Sequence, residues 1–455
     1  MRLPTPREEA AIVERLEVPF EGDGAGRGPL SWGQIESWNA IRTLGHWMPL
    51  GGAVELEPGT TLEDVLDELR WHMCRHVTLR TLLRFDGETP TQEVFGSGSL
   101  TVLVYDDLDV GSVVDAYRDR PLDFAVEWPI RAAVIRRDGE PTHLVALLSH
   151  FATDGAGAQI MLREVRERPA TPVEGLAPLA QARWQESPAG RRQNTGAQRH
   201  FEAVLRAMPP VRFPVPAAPA SPRYWRGVLD SVALDLALRV LTARLDVDPA
   251  ATLLAVFAAA VGETSGLTPV VVRPVVSNRF RAGLAGVVCT ATQAGLCLID
   301  TSGPFDEVVD RARRAALSGF KHAYFDQRDL WASVTRIGAE RGSELQIGCF
   351  LNDRRGAVPM DSPSLDDLPP SLDDLPPSLA DLPPSSFTWI TRQDHPGLEP
   401  LILDVESLAE GLRLTVHTDT RWVAPADSER LLWAMEEIAL RECPPSPAPV
   451  RPLGE

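Results

Sequence analysis

The chain of 455 residues is 44% apolar, enough to bury cores for about two or three compact units. It carries 45 Lys and Arg against 63 Asp and Glu, a net charge of −18, so its field repels a phosphate backbone and an anionic bilayer alike, and neither nucleic acid nor membrane is an expected partner. The five cysteines show no C-x-x-C spacing, which fits a reducing, cytoplasmic compartment and no metal site built on thiolates.

Residues 1–28 read as an N-terminal extension: a short, charged amphipathic helix without the apolar core of a signal peptide, then the glycine-rich loop EGDGAGRG, with order expected to begin near Pro29. In TLEDVLDELRWHMCRHVTLRTLLRF, Leu62, Val65, Leu66, Leu69, Met73 and His76 recur at spacings of three and four, predicting a helix capped by Thr61 and followed by a strand. SLTVLVYDD and WPIRAAVIRRDGEPTHLVALLSH are strands, the second run folded over a turn at RDGEP. From Gly155 the pattern turns helical until Pro169 stops it.

Residues 171–222, rich in Pro, Ala, Arg and Gln, read as a crossing segment with one helix around GAQRHFEAVLRAM, so that 29–170 and 223–455 form two lobes. The second lobe mixes helices (DLALRVLTARL, PAATLLAVFAAAVGETSG, PFDEVVDRARRAALSGFKHAY, PADSERLLWAMEEIALRE) with strands (PVVVRPVVSNRF, ELQIGCFLND, PLILDVESL, LRLTVHTD), an α/β composition. At 361–385 lies a low-complexity insertion in which SLDDLPP is nearly repeated three times; its Pro-Pro pairs exclude a coiled coil and predict an extended, solvated loop.

The chain lacks G-x-S-x-G, Walker, G-x-G-x-x-G, H-E-x-x-H and paired C-x-x-C signatures. What remains is LLSHFATDGAGAQI. Ser149 and His150 fall on successive strand positions and so face opposite ways, which separates them as nucleophile and base. His150, at the end of an apolar strand, is placed for a general base; a core histidine followed by an N-cap Asp154 is the competing reading. Gly155 would let a ligand approach the backbone. His72, His76 and His322, on or just after helices, are read as structural.

PLSWGQIESWNA at 29–40, RHVTLRTLLRF at 75–85, SHFATDGAG at 149–157, GVVCTATQAGLCLI at 286–299 and HAYFDQRDLWASV at 322–334 together resemble the successive motifs of nonribosomal peptide synthetase condensation domains. These belong with the chloramphenicol acetyltransferase-like acyltransferases. The resemblance runs from about Pro29 to about Arg441. It implies a pseudo-dimer of two acyltransferase-like lobes in a V, with the active site in a tunnel between them. His150 matches the second histidine of the family's HHxxxDG motif, Asp154 its aspartate and Gly155 its glycine; Arg279 in VVSNRF is the candidate partner of Asp154. Ser149 stands where the first histidine is expected, and Thr290 near the place of an expected asparagine.

The implied activity is that of a free-standing acyltransferase joining a carrier-tethered acyl or aminoacyl thioester to an amine in natural-product biosynthesis. The donor is carried by the phosphopantetheine arm of a carrier protein, or by CoA, and no permanently bound cofactor or metal is called for. An O-acyltransferase with an alcohol acceptor and an idle docking module are the alternatives.

Overall fold

The computed structural model describes residues 12–443 except 88, 212, 214, 215, 217, 357–381, 395, 396 and 398. Most of the 361–385 insertion lies outside the described residues. The chain divides into two compact mixed α/β units. The first holds the residues up to Asn194 together with Ser277–Gln293; the second holds Thr195–Val276, Ala294–Gly356 and the described residues beyond the insertion.

In the first unit, strands β1 (Ile12–Glu21), β2 (Pro49–Glu55), β3 (Ser97–Asp106), β4 (Ile130–Arg137) and β5 (Glu140–Ser149) form a sheet in the order β1-β3-β4-β5-β2. Only β3 and β4 pair in parallel; β4 and β5 form a hairpin whose tip, Asp138 and Gly139, has φ of 52° and 85°, the two positive angles that a type I′ turn requires. Along β5, Val145, Leu147 and Ser149 are all fully buried, so this face of the strand enters the core and the next residue, His150, turns the other way. Helices α1 (Trp32–Leu44), α2 (Leu62–Arg75), α3 (Val110–Asp119) and α4 (Gly155–Glu167) belong to the same unit, with α2 opened by the reciprocal hydrogen bonds of Thr61 and Asp64. Val65, Leu69 and Met73 of α2 pack with Val18, Phe20, Val102 and Val134 of the sheet.

The N-terminal segment differs from its sequence reading. Residues 12–21 are the edge strand β1, paired with β3 from Ile12 to Glu21, where a helix was expected. Leu16, Val18 and Phe20 alternate with exposed Glu17, Pro19 and Glu21, and Pro19 lacks the amide a helix needs. The following loop is held in place as well: the Gly22 amide donates to the Gly96 carbonyl at 2.9 Å, and a Cβ at Gly22 would lie 2.5 Å from the Cys74 carbonyl oxygen and 2.6 Å from the Arg80 guanidinium. Arg80, fully buried, donates to the carbonyls of Met73 and Phe95 at 3.1 and 2.6 Å, so this residue of the RHVTLRTLLRF motif ties backbone together.

The segment read as 171–222 contains two helices, Pro178–Glu186 and Pro188–Ala207, where one was expected. Residues 277–293, read as part of the second lobe, belong to the first unit, where Asn278, Arg279 and Thr290 find their hydrogen-bond partners.

In the second unit, strands Tyr224–Ser231, Val270–Val276, Cys349–Asp353, Ser386–Gln393, Leu401–Ser407 and Leu412–Asp419 share a sheet that is parallel across Val270–Val276, Cys349–Asp353 and Leu401–Ser407 and antiparallel beyond. The helix Pro249–Ser265, buried from Ala251 to Val261, occupies the core with Phe305–Lys321 and Pro425–Glu442. Its uniformly apolar surface is explained by burial on all sides. Among the described residues no single helix is long and apolar enough to cross a membrane.

Candidate active site

The corner between β5 and α4 carries the motif residues, and every neighbour described in this subsection belongs to the first unit. The backbone of His150 is pinned on both sides: its amide donates to the Met48 carbonyl at 3.0 Å, and its carbonyl accepts from Thr290 Oγ1 at 2.7 Å. Thr290 Oγ1 also lies 3.2 Å from the Phe151 carbonyl, so the residue at the expected asparagine position fastens this corner. The imidazole is half-buried. Its Nδ1 faces Ser37 Oγ of α1 at 3.4 Å. With Ser37 Oγ as acceptor the proton sits on Nδ1 and Nε2 carries the lone pair. Burial lowers the pKa below its ordinary value, outweighing the opposing influence of Asp154, so the ring is neutral at neutral pH and can accept a proton.

Ser149 has a different task. Its hydroxyl is buried, donates to the Trp47 carbonyl at 3.0 Å and accepts from the Phe151 amide at 3.2 Å. The hydroxyl proton is committed to a backbone carbonyl and the oxygen to a backbone amide, in a fully buried position, which fixes the turn after β5 and argues against Ser149 as a nucleophile.

Asp154 is enclosed by donors. Its Oδ1 accepts from the Gly157 amide and from Arg279 Nη2, both at 2.8 Å; its Oδ2 accepts from the amides of Ala291 and Thr292 at 2.9 and 2.8 Å and from Thr292 Oγ1 at 2.8 Å. Burial alone would raise its pKa, but the Arg279 charge and these hydrogen bonds hold the carboxyl below the usual aspartate value. Arg279 further donates to the carbonyls of Cys289 and Ser277 at 2.9 and 3.0 Å. The ion pair therefore joins the N-terminus of α4 to residues 277–292, and the aspartate is a cap and a tie, with no capacity left over for proton transfer.

The two glycines of the motif divide the work. Gly155 is exposed, with nothing within 4 Å of a Cβ, and leaves open space at the mouth of α4. A Cβ on Gly157 would lie 2.3 Å from Thr153 Oγ1 and 3.2 Å from the Cys289 carbonyl oxygen, so this position is closed by packing. A third glycine sets the approach of α1: a Cβ on Gly33 would fall 2.0 Å from the Thr290 carbonyl oxygen. Helix α1, opened by the Ser31 and Gln34 capping box, thus runs against the same strand segment that anchors His150 and brings Ser37 to the ring. The sequence pattern gave no sign of Ser37; an anchoring role for Gly33 was present only as a glycine inside a helical run.

No protein-family model matches the chain. It is 25% identical over 400 residues, 79% of its length, to phosphinothricin tripeptide synthetase PhsC of Streptomyces viridochromogenes, and it spans about a third (36%) of that relative. The condensation domain of the monacolin K polyketide synthase MokA superposes with a TM-score of 0.70 at 13% identity, over 92% of this chain and 98% of that one. The condensation domain that mediates chain release from the enacyloxin polyketide synthase gives 0.69 at 18% identity, over 95% and 85%. The fold is that of a condensation domain. Within the condensation fold of this chain, the motif residues His150, Asp154, Gly155 and Arg279 share one corner of the first unit, and Ser149 supports it from the core side. Among the described residues, a separate grouping of metal-ligating side chains, His72, His76 and Glu164, sits at the other end of α4.

Proposed function

We propose that the chain is a condensation-type acyltransferase that moves an acyl or aminoacyl group from a carrier-protein thioester to an amine in natural-product biosynthesis. The observation that carries this reading is His150: a neutral, half-buried imidazole on a doubly anchored backbone, beside a glycine that leaves its helix mouth open. In this mechanism Nε2 of His150 takes the proton from the amine as nitrogen attacks the thioester carbonyl. The tetrahedral adduct then collapses, the carbon–sulfur bond breaks, and the proton passes to the departing thiolate. The thioester is already activated, so positioning and one proton carrier supply what the reaction needs. The phosphopantetheine arm enters as part of the donor substrate. The similarity to a peptide synthetase and to condensation domains of two polyketide synthases supports a carrier-borne donor.

Acyl carrier protein loaded with a panel of acyl groups is incubated with the protein and an amine or alcohol acceptor, and carrier and product are followed by mass spectrometry. Discharge of the carrier with amide formation is expected, and His150→Ala is expected to slow it by about 10²- to 10⁴-fold while melting like the wild type. Ester product alone would reassign the acceptor to an alcohol, and discharge of acyl-CoA alone would reassign the donor. Carrier binding without discharge would make the chain a docking module, and full turnover by His150→Ala would remove the base assignment.

A further inference from the structure

The C-terminal halves of α2 and α4 enclose a group of polar side chains that the acyl-transfer reading does not use. His72 and His76 stand four residues apart at the end of α2, the spacing that places two imidazoles on one helical face, and Glu164 reaches them from α4. All three residues are at least nine-tenths buried, with exposures of 5%, 3% and 5%. One ligand atom from each lies within 4.8 Å of the other two.

Each imidazole faces a carboxylate at ion-pair distance. His76 Nε2 is 2.8 Å from Glu164 Oε2, and His72 Nε2 is 3.0 Å from Glu68 Oε1, while the buried Nδ1 of His72 has no hydrogen-bond partner among the described residues. Buried polar atoms without partners are rare and call for a missing group. The outer oxygens, by contrast, are held: Glu164 Oε1 accepts from Arg75 Nε and Nη2 at 3.1 and 2.9 Å, and Glu68 Oε2 meets Arg168. Each carboxylate is thus oriented from outside with one oxygen turned inward, the arrangement of carboxylates whose orientation is set by a second shell. Glu68 beside Nε2 of His72 favours a proton there, which leaves the buried Nδ1 as lone pair.

We propose that His72, His76 and Glu164 bind a divalent transition-metal ion of the zinc class, which clips the end of α2 to α4. Two neutral imidazoles and one carboxylate are a nitrogen and oxygen set that zinc accepts, with ligand bonds of about 2.0–2.2 Å and hence ligand atoms roughly 3.4 Å apart. The His76 and Glu164 atoms already lie closer than that, and the third must move inward. The imidazoles now stack with centroids 5.6 Å apart and planes at 23°, so binding turns one ring about χ2 until both lone pairs converge. Arg75 and Arg168 oppose the added charge, so the affinity is below that of a closed thiolate site. The sequence signal is the H-x-x-x-H spacing of His72 and His76, which sequence reasoning took as structural because both lie on or just after a helix.

The full chain is stripped with chelator, equilibrated with Zn²⁺ and analysed by elemental mass spectrometry, and a parallel sample is loaded with Co²⁺. One ion per chain is expected, with visible Co²⁺ bands and no thiolate charge-transfer band. His72→Gln and Glu164→Gln are each expected to weaken retention by about 10- to 100-fold or more while keeping the far-ultraviolet circular dichroism of the wild type. Absence of ion retention, retention unchanged in both variants, or a thiolate band locating the ion on cysteine would overturn the proposal. The Co²⁺ spectrum of the unmodified chain decides between ligand sets even if a variant fails to fold. A positive result leaves acyl transfer by His150 untouched, since the two groups share no residue.

Discussion

His150 and Asp154 stand four residues apart in one motif and are built in opposite ways. The aspartate is buried, accepts hydrogen bonds from Gly157, Ala291, Thr292 and Arg279, and has no surface toward solvent. The histidine is half-buried, and its ring has a long contact to a neighbouring side chain, Ser37 Oγ at 3.4 Å. The difference shows where rigidity is placed. Backbone and carboxylate are over-determined so that the imidazole can remain chemically available, its orientation set by an anchored main chain more than by bonds to the ring.

The sharpest way to break this contrast is to remove the charge of the rigid partner. Asp154→Asn leaves Arg279 buried against a neutral amide that cannot match the carboxylate's acceptors, and a loss of about 3–5 kcal/mol is expected from urea unfolding. A loss under 1 kcal/mol would mean that the ion pair does not hold the corner. The pH dependence separates the two residues next. The folded-state pKa of Asp154 is depressed, so its stabilisation is complete above the unfolded value of about 3.9 and is lost as pH falls through the folded value. His150 is depressed too, but its neutral form is the favoured one, so stability begins to fall as pH drops below about 6.5. His76 and His200 share that window, and His150→Ala should therefore reduce, without abolishing, the acid-side slope of the melting temperature.

Smaller effects test the supports. Ser149→Ala deletes the link between the Trp47 carbonyl and the Phe151 amide and is expected to cost about 1–3 kcal/mol in thermal unfolding, with the acid limb of the rate profile unmoved. Gly155→Ala meets open space and should hold stability within about 1 kcal/mol, yet raise KM for a carrier-borne donor if the arm passes there; an unchanged KM would place the arm elsewhere.

Much of this was legible in the chain. The apolar run ending at Leu148, the Asp before Gly155 and the ordered motifs placed His150 at a strand end, Asp154 at a helix start and Arg279 within reach. The N-terminal strand was misread because Glu14, Arg15 and Glu17 suggested a charged helix, although the alternation of Leu16, Val18 and Phe20 around Pro19 pointed to a strand. The return of 277–293 to the first unit is a long-range fact that no local pattern encodes; only the need of Asp154 for a cation hinted at it. Ser37 was invisible, since a serine on a helix gains meaning from what lies opposite. Ser149 had looked like a departure from the expected motif, and its hydroxyl turns out to be a backbone brace.

The approach of Gly33 to Thr290 has a consequence for variation at this site. Helix and strand segment meet there backbone to backbone, so the spacing between them is recorded by the absence of a side chain. In a saturation library scored for folded protein, position 33 should tolerate no replacement while the exposed α1 positions Asn39, Arg42 and Thr43 accept many. The corner could then change its chemistry by exchanging Ser37 or the residues around Gly155 without altering its dimensions.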